Sequence, residues 1–105
     1  NTMTDEFYGA EARSFTKGTV SIIRVSKKYL HQGDRILILD DFLAHGEAAT
    51  AMTQLVSQAG AEVAGIGAVI EKGFQGGGDR LRKAGFRLES LAIIEKIEKG
   101  KIRFV

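Results

Sequence analysis

Residues Ile36-Leu37-Ile38-Leu39-Asp40-Asp41-Phe42-Leu43-Ala44-His45-Gly46-Glu47-Ala48 decide the fold. Four apolar residues in unbroken succession are the pattern of a strand covered on both faces in a parallel sheet. Two carboxylates follow at the strand's carboxyl end, then a loop, and from Gly46 the apolar spacing becomes helical. Ala48, Ala51, Met52, Leu55, Val56 and Ala59 fall on one helix face, and Gly60 stands where a C-terminal glycine cap belongs. Val63 to Ile70 returns to strand, with Gly65 and Gly67 expected to let neighbouring backbone approach. Strand, helix and strand within about 35 residues make a βαβ unit, whose crossover is right-handed in nearly all cases.

Working outward, Glu11 to Val25 alternates on either side of Lys17-Gly18 and predicts a hairpin with a polar tip of Ser14, Thr16 and Lys17. Leu30 to Arg35 reads as a turn around Gly33-Asp34. Asp79 to Ala84 predicts a short helix closed by Gly85, and the triplet Gly76-Gly77-Gly78 before it reads as a mobile turn. Phe86 to Ile97 and Lys101 to Val105 predict two more strands around the turn Glu98-Lys99-Gly100. The class is α/β, with a mainly parallel sheet and flanking helices.

Composition narrows the partners. The chain has 105 residues, 44% of them hydrophobic and 27% charged, which suits one domain and argues against disorder. A net charge of +2 with interleaved signs is too weak for a nucleic-acid surface. No apolar run approaches the roughly 18 residues of a membrane span. Cysteine is absent, which excludes disulfides and thiolate metal sites and fits a cytoplasmic protein. The chain opens at Asn1 without an initiator methionine, in a polar stretch. An N-terminal part is therefore expected to be missing, and the C-terminal end to be nearly complete.

Ligands of open α/β sheets bind at the carboxyl ends of the strands, where Asp40 and Asp41 are expected. The first N–H groups of the helix beginning near Gly46 lack internal partners and lie at its positive end, so they suit a phosphate. Asp40 and Asp41 would repel that phosphate and are better placed for ribose hydroxyls, a divalent cation or positive charge at the sugar carbon. The same spacing also fits a strand ending in two solvated acids before an ordinary helix. A Walker loop and a dinucleotide fingerprint are both absent.

This segment resembles the ribose-phosphate signature of type I phosphoribosyltransferases: an apolar strand, two acids, a short loop, then Thr-Gly-x-Thr. His45 and Ala48 stand in the two threonine positions, which removes hydroxyl donors and leaves more of the binding to backbone N–H groups. The run from Asp40 to Ala48 is more particularly similar to the bacterial xanthine phosphoribosyltransferases. So are Ala59-Gly60-Ala61, Ala64-Gly65-Ile66-Gly67, Ile70-Glu71-Lys72-Gly73-Phe74-Gln75, Glu89-Ser90-Leu91-Ala92 and Ser14-Phe15-Thr16-Lys17. The resemblance spans nearly the whole chain and implies that residues 1–105 are the C-terminal part of one phosphoribosyltransferase domain.

That resemblance implies roles. Ala44, His45, Gly46, Glu47 and Ala48 would hold the 5-phosphate of phosphoribosyl pyrophosphate, and Asp40 and Asp41 would be the catalytic acids near the ribose. Lys72 would contact the purine; a donor-only side chain suits a C6 oxo group and disfavours an amino group, as in adenine. Phe74 could offer a ring face to the base. Lys72 also fits a solvated charge past a strand, and Phe74 also fits core packing. The hairpin would be a flexible flap that excludes water, bringing Ser14, Thr16 and Lys17 towards the pyrophosphate. The implied reaction joins phosphoribosyl to N9 of xanthine, giving XMP and pyrophosphate in purine salvage. It implies Mg²⁺ held mainly by the substrate, no residue acting as a dedicated metal ligand, and a cytoplasmic homodimer with neither nucleic-acid nor membrane partners. A phosphoribosyl-pyrophosphate-sensing regulator of the purine operon repressor type is the alternative.

Overall fold

The computed structural model describes residues 6–14, 18–98 and 100–105. Strands β1 (Phe7–Ser14) and β2 (Thr19–Ser26) form an antiparallel hairpin, the predicted one begun four residues earlier. It is a two-stranded sheet of its own. The second sheet runs in the order β3 (Arg35–Leu43), β4 (Glu62–Lys72), β5 (Leu88–Glu98), β6 (Lys101–Phe104). Its first three strands are parallel and β6 is antiparallel, so the mainly parallel sheet is as expected. Helix α1 (Glu47–Gln58) links β3 to β4. A 3-10 turn (Gly73–Gln75) and helix α2 (Gly77–Lys83) link β4 to β5.

The predicted strand of Ile36 to Leu39 extends through Leu43, because Phe42 and Leu43 continue the ladder opposite Ile70 and Glu71. Asp40 and Asp41 therefore lie within β3 and not beyond its end. Coverage on both faces is also corrected. Ile38 is buried with Leu43, Ile66, Ala68 and Leu88 of the sheet, Ala49 of α1 and Leu81 of α2. Leu37 and Leu39 point the other way and stay 61% and 71% exposed, beside exposed Val69 and Leu91. No described element covers that face. Gly65 and Gly67 pair in register with these two leucines; Gly65 admits the Arg87 backbone as well as the Leu37 side chain, whereas the neighbour of Gly67 is the Leu39 side chain alone.

Helix α1 ends as its sequence indicates. Gly60 takes φ 72°, its N–H donates to Ser57, and the Ala61 N–H donates to Val56, which together satisfy the last carbonyls. The buried residues are Ala49, Ala51, Thr53, Leu55 and Val56, with Ala59 just past the helix. Ala48 is exposed, so the inward face is rotated by one residue at its start from the expected one. Ala51 and Leu55 form a second cluster with Ala10 of the hairpin, packed by Tyr8, Ala12, Ile23 and Val25. Gln58 ties the hairpin further: its amide donates to the Gly9 carbonyl at 2.6 Å and accepts from the Gly9 N–H at 3.3 Å.

The triplet Gly76-Gly77-Gly78 departs most from expectation. Gly76 is the left-handed N-cap of α2, and Gly77 and Gly78 are buried residues of its first turn. A Cβ on Gly77 would lie 2.4 Å from the Ala44 carbonyl oxygen and the His45 carbonyl carbon. One on Gly78 would lie 2.0 Å from Oε2 of Glu71. Close packing on two sides requires these glycines. Overpacking of this kind typically costs about 1–3 kcal/mol, and here the obstacle on one side is backbone. Gly77→Ala in the full-length protein should lose about 2 kcal/mol or more in urea unfolding. Gly9→Ala, whose new carbon meets nothing closer than 3.9 Å, should stay within about 0.5 kcal/mol of wild type.

Candidate functional site

The loop from Ala44 to Gly46 carries the chain from β3 into α1. Gly46 is the N-cap at φ 83°, a left-handed conformation that disfavours any side chain, and it lies against the Gly77 backbone. Gly46 is thus favoured by its backbone conformation, while a Cβ there would only reach ordinary contact with Gly77. The first helical bond runs from Thr50 N–H to the Gly46 carbonyl, and no side chain caps the helix. Within the helix itself the N–H groups of the first turn have no carbonyl partner. The loop is held from behind. Gly77 N–H donates to the Ala44 carbonyl at 3.0 Å, and Arg80 donates through Nη2 to the His45 carbonyl at 2.5 Å. Two carbonyls that would face an anion unfavourably are thereby engaged by α2.

Asp40 is half-buried and Asp41 exposed, next to each other on β3. Burial pushes the Asp40 carboxyl above its ordinary value. The Phe42 backbone N–H opposes that shift, while the charge of Asp41 and a hydrogen bond with it add to it. Among the described residues no group of three His, Asp or Glu side chains converges as a metal cage.

Lys72 is the last residue of β4, and Phe74 lies half-exposed on the following 3-10 turn. The Lys72 ammonium sits over the ring of Phe42, 4.9 Å from its centroid. A cation over an aromatic face is worth roughly 0.5–2 kcal/mol, and it places the donor-only lysine beside an exposed ring. Phe42 was not singled out in the sequence. Its signal is its place directly after Asp40-Asp41, three positions past the apolar run that ends at Leu39.

A second missed group lies one residue before Lys72. Glu71 is 1% exposed. Its two oxygens accept from Nη1 and Nη2 of Arg82, each at 2.9 Å, and Oε1 also accepts from the Ser90 hydroxyl at 2.7 Å. Burial pushes the Glu71 carboxyl up, but the Arg82 and Ser90 hydrogen bonds and the Arg82 charge outweigh it and hold it below the ordinary range. The same bonds push the Arg82 guanidinium up. Removing one partner of such a buried pair typically costs about 3–5 kcal/mol.

Beside the loop opens a cleft of about 760 Å³ lined by Glu11 and Arg13 of β1, His45, Glu47, Gln75 and Arg80. The hairpin thus borders the loop. Ser14 closes its described part, whereas Thr16 and Lys17 lie outside the described residues.

No protein-family model matches the chain. Curated relatives do. The xanthine phosphoribosyltransferase of Geobacillus thermodenitrificans is 56% identical over 103 residues, 98% of this chain and 53% of the relative. That of Oceanobacillus iheyensis is 52% identical over 103 residues, again 98% of this chain and 53% of the relative. The chain belongs to the type I purine phosphoribosyltransferase family. The fold agrees. The adenine phosphoribosyltransferase of Rhodothermus marinus superposes with a TM-score of 0.75 at 29% identity, over 90% of this chain and 52% of that one. That of Thermoanaerobacter pseudethanolicus gives 0.73 at 27%, over 89% and 51%. The chain spans about half the length of the relatives it matches.

The raised Asp40 carboxyl makes a prediction for the whole protein. A carboxyl raised in the fold contributes stability that is complete below its ordinary value of 3.8 and is lost as pH rises through the raised value. At neutral pH the ionised Asp40 is therefore a burden on the fold. Asp40→Asn should raise the melting temperature at pH 7.5, with the gain shrinking in melts taken towards pH 4. A variant melting at or below wild type at pH 7.5 would contradict the assignment.

Proposed function

We propose that the protein carrying this chain transfers 5-phosphoribosyl from phosphoribosyl pyrophosphate to N9 of xanthine, releasing pyrophosphate. The carrying observation is the meeting of an uncapped helix N-terminus at Gly46 with two adjacent acids, Asp40 and Asp41, on the strand leading into it. The helix end and the N–H groups of Ala44 to Ala48 would hold the 5-phosphate. The acids sit upstream, suited to ribose hydroxyls and to positive charge on the sugar carbon as the bond to pyrophosphate breaks and the bond to N9 forms. Rate enhancement would come from positioning and electrostatics. No covalent intermediate is required.

Two adjacent carboxylates, with no cluster of three among the described residues, form a donor set suited to Mg²⁺, which takes one or two protein carboxylates and fills its shell with phosphate oxygens and water. Bound with the substrate, Mg²⁺ would neutralise charge on the departing pyrophosphate. Asp40 and Asp41 are the residues that could reach it.

Lys72 over Phe42 supports a base site, since a sensor of the sugar phosphate alone would have no use for one. A lysine donates to an oxo group at C6 and finds no acceptor in an amino group. The choice of xanthine over hypoxanthine and guanine rests on the relatives' names. Phe42 and Phe74 are the rings available to the base. The hairpin, whose Glu11 and Arg13 line the cleft beside the loop, is the proposed flap. A homodimer acting in cytoplasmic purine salvage completes the reading; no helix among the described residues is long and apolar enough to cross a membrane.

The full-length protein with Mg²⁺ and phosphoribosyl pyrophosphate should convert xanthine with a higher kcat/KM than guanine or hypoxanthine. Equal inactivity with all three purines would overturn the reading. Lys72→Ala should raise the xanthine KM about tenfold or more and leave the affinity for phosphoribosyl pyrophosphate within about twofold of wild type. Loss of both affinities together would remove Lys72 from the base site.

A further inference from the structure

The Glu71–Arg82–Ser90 cluster has no part in the proposed chemistry, yet it sits between the two halves of the site. Glu71 directly precedes Lys72. Its buried carboxylate lies under Gly78, with no room for a Cβ between them, and Gly77 on the next residue lies as tightly against Ala44 and His45. Consecutive Cα atoms are fixed about 3.8 Å apart. A displacement of the carboxylate against Gly78 therefore reaches the loop through a single peptide unit. Arg82 pulls from the far end of the same helix. It grips both oxygens of Glu71, and α2 in turn holds the loop through Gly77 N–H and Arg80.

We propose that Glu71, Arg82 and Ser90 are positioning residues that set the phosphate loop through the first turn of α2. The role rests on the phosphoribosyl-transfer reading above. A bidentate guanidinium–carboxylate pair fixes both distance and plane, which a lysine or an apolar contact does not. Ser90 adds a third bond from β5, so the carboxylate is oriented by two elements at once. Buried ion pairs are often no more stabilising than apolar packing of the same volume. Exact placement of α2, and through it of the Ala44 and His45 carbonyls, is what this pair supplies beyond burial.

The test uses the full-length protein and direct binding of phosphoribosyl pyrophosphate with Mg²⁺, by calorimetry well below each variant's melting temperature. Glu71→Gln should weaken binding about tenfold in protein that is still folded by circular dichroism. Arg82→Lys, which keeps the charge and loses the fork, should weaken it similarly. Ser90→Ala removes one hydroxyl from a carboxylate that Arg82 still holds, and should weaken it about two- to threefold; it carries the test if the other variants do not fold. Arg80→Ala should also weaken binding, and combining it with Glu71→Gln should add less than the product of the two single effects, because both act through α2. A purely structural role would lower the melting temperatures and leave these affinities unchanged. That result, or full multiplicativity in the double variant, overturns the proposal. Wild-type protein that does not bind phosphoribosyl pyrophosphate overturns the functional reading instead.

Discussion

The first turn of α2 is confined on both sides, and much of the site depends on that confinement. Gly77 meets the backbone of Ala44 and His45, and Gly78 meets the Glu71 carboxylate. Neither contact leaves room for a methyl group. The loop between β3 and α1 consequently owes its position to a helix 30 residues downstream as well as to its own sequence. His45, where a threonine would be ordinary for the family, is held through its carbonyl by Arg80. A loop fixed by its backbone depends less on the side chains it carries.

The acids illustrate a second economy of placement. Asp40 and Asp41 occupy adjacent positions within β3, and the half-buried one is destabilised in its charged form. Such strain is common where charge must be presented to a ligand. Phe42 follows directly, and the Lys72 ammonium lies above its ring. Parallel pairing of β3 with β4, with Phe42 opposite Ile70 and Leu43 opposite Glu71, is what brings acids and lysine to the same end of the sheet.

Local periodicity made the βαβ unit, the hairpin and the order of the later strands legible, because those signals are carried within a few residues of one another. Gly60 and Gly85 likewise announced helix ends by position alone. What stayed hidden depends on contacts between distant segments. Gly76 to Gly78 read as loose because composition cannot report that Ala44 and Glu71 press on them. The Ile36–Leu39 run cannot say whether a second layer covers it, and here Leu37 and Leu39 stand open. Phe42 is hidden because two acids after an apolar run read as the strand's end. Glu71 was visible only as one letter in a matching run; its burial becomes apparent once Arg82 and Ser90 are seen to close around it.

The hairpin shares no ladder with the main sheet. Its described ties to the body are the apolar cluster of Ala10, Tyr8, Ala12, Ile23 and Val25 with Ala51 and Leu55, and the paired bonds between Gln58 and Gly9. Gln58 offers Gly9 both a donor and an acceptor, as a neighbouring strand would. Lifting the hairpin would therefore break one amide clasp and one apolar cluster, while every β1–β2 bond travelled with it intact. Its ladder-bonded amides therefore share one opening free energy, set by the hairpin and independent of the sheet that carries the acids.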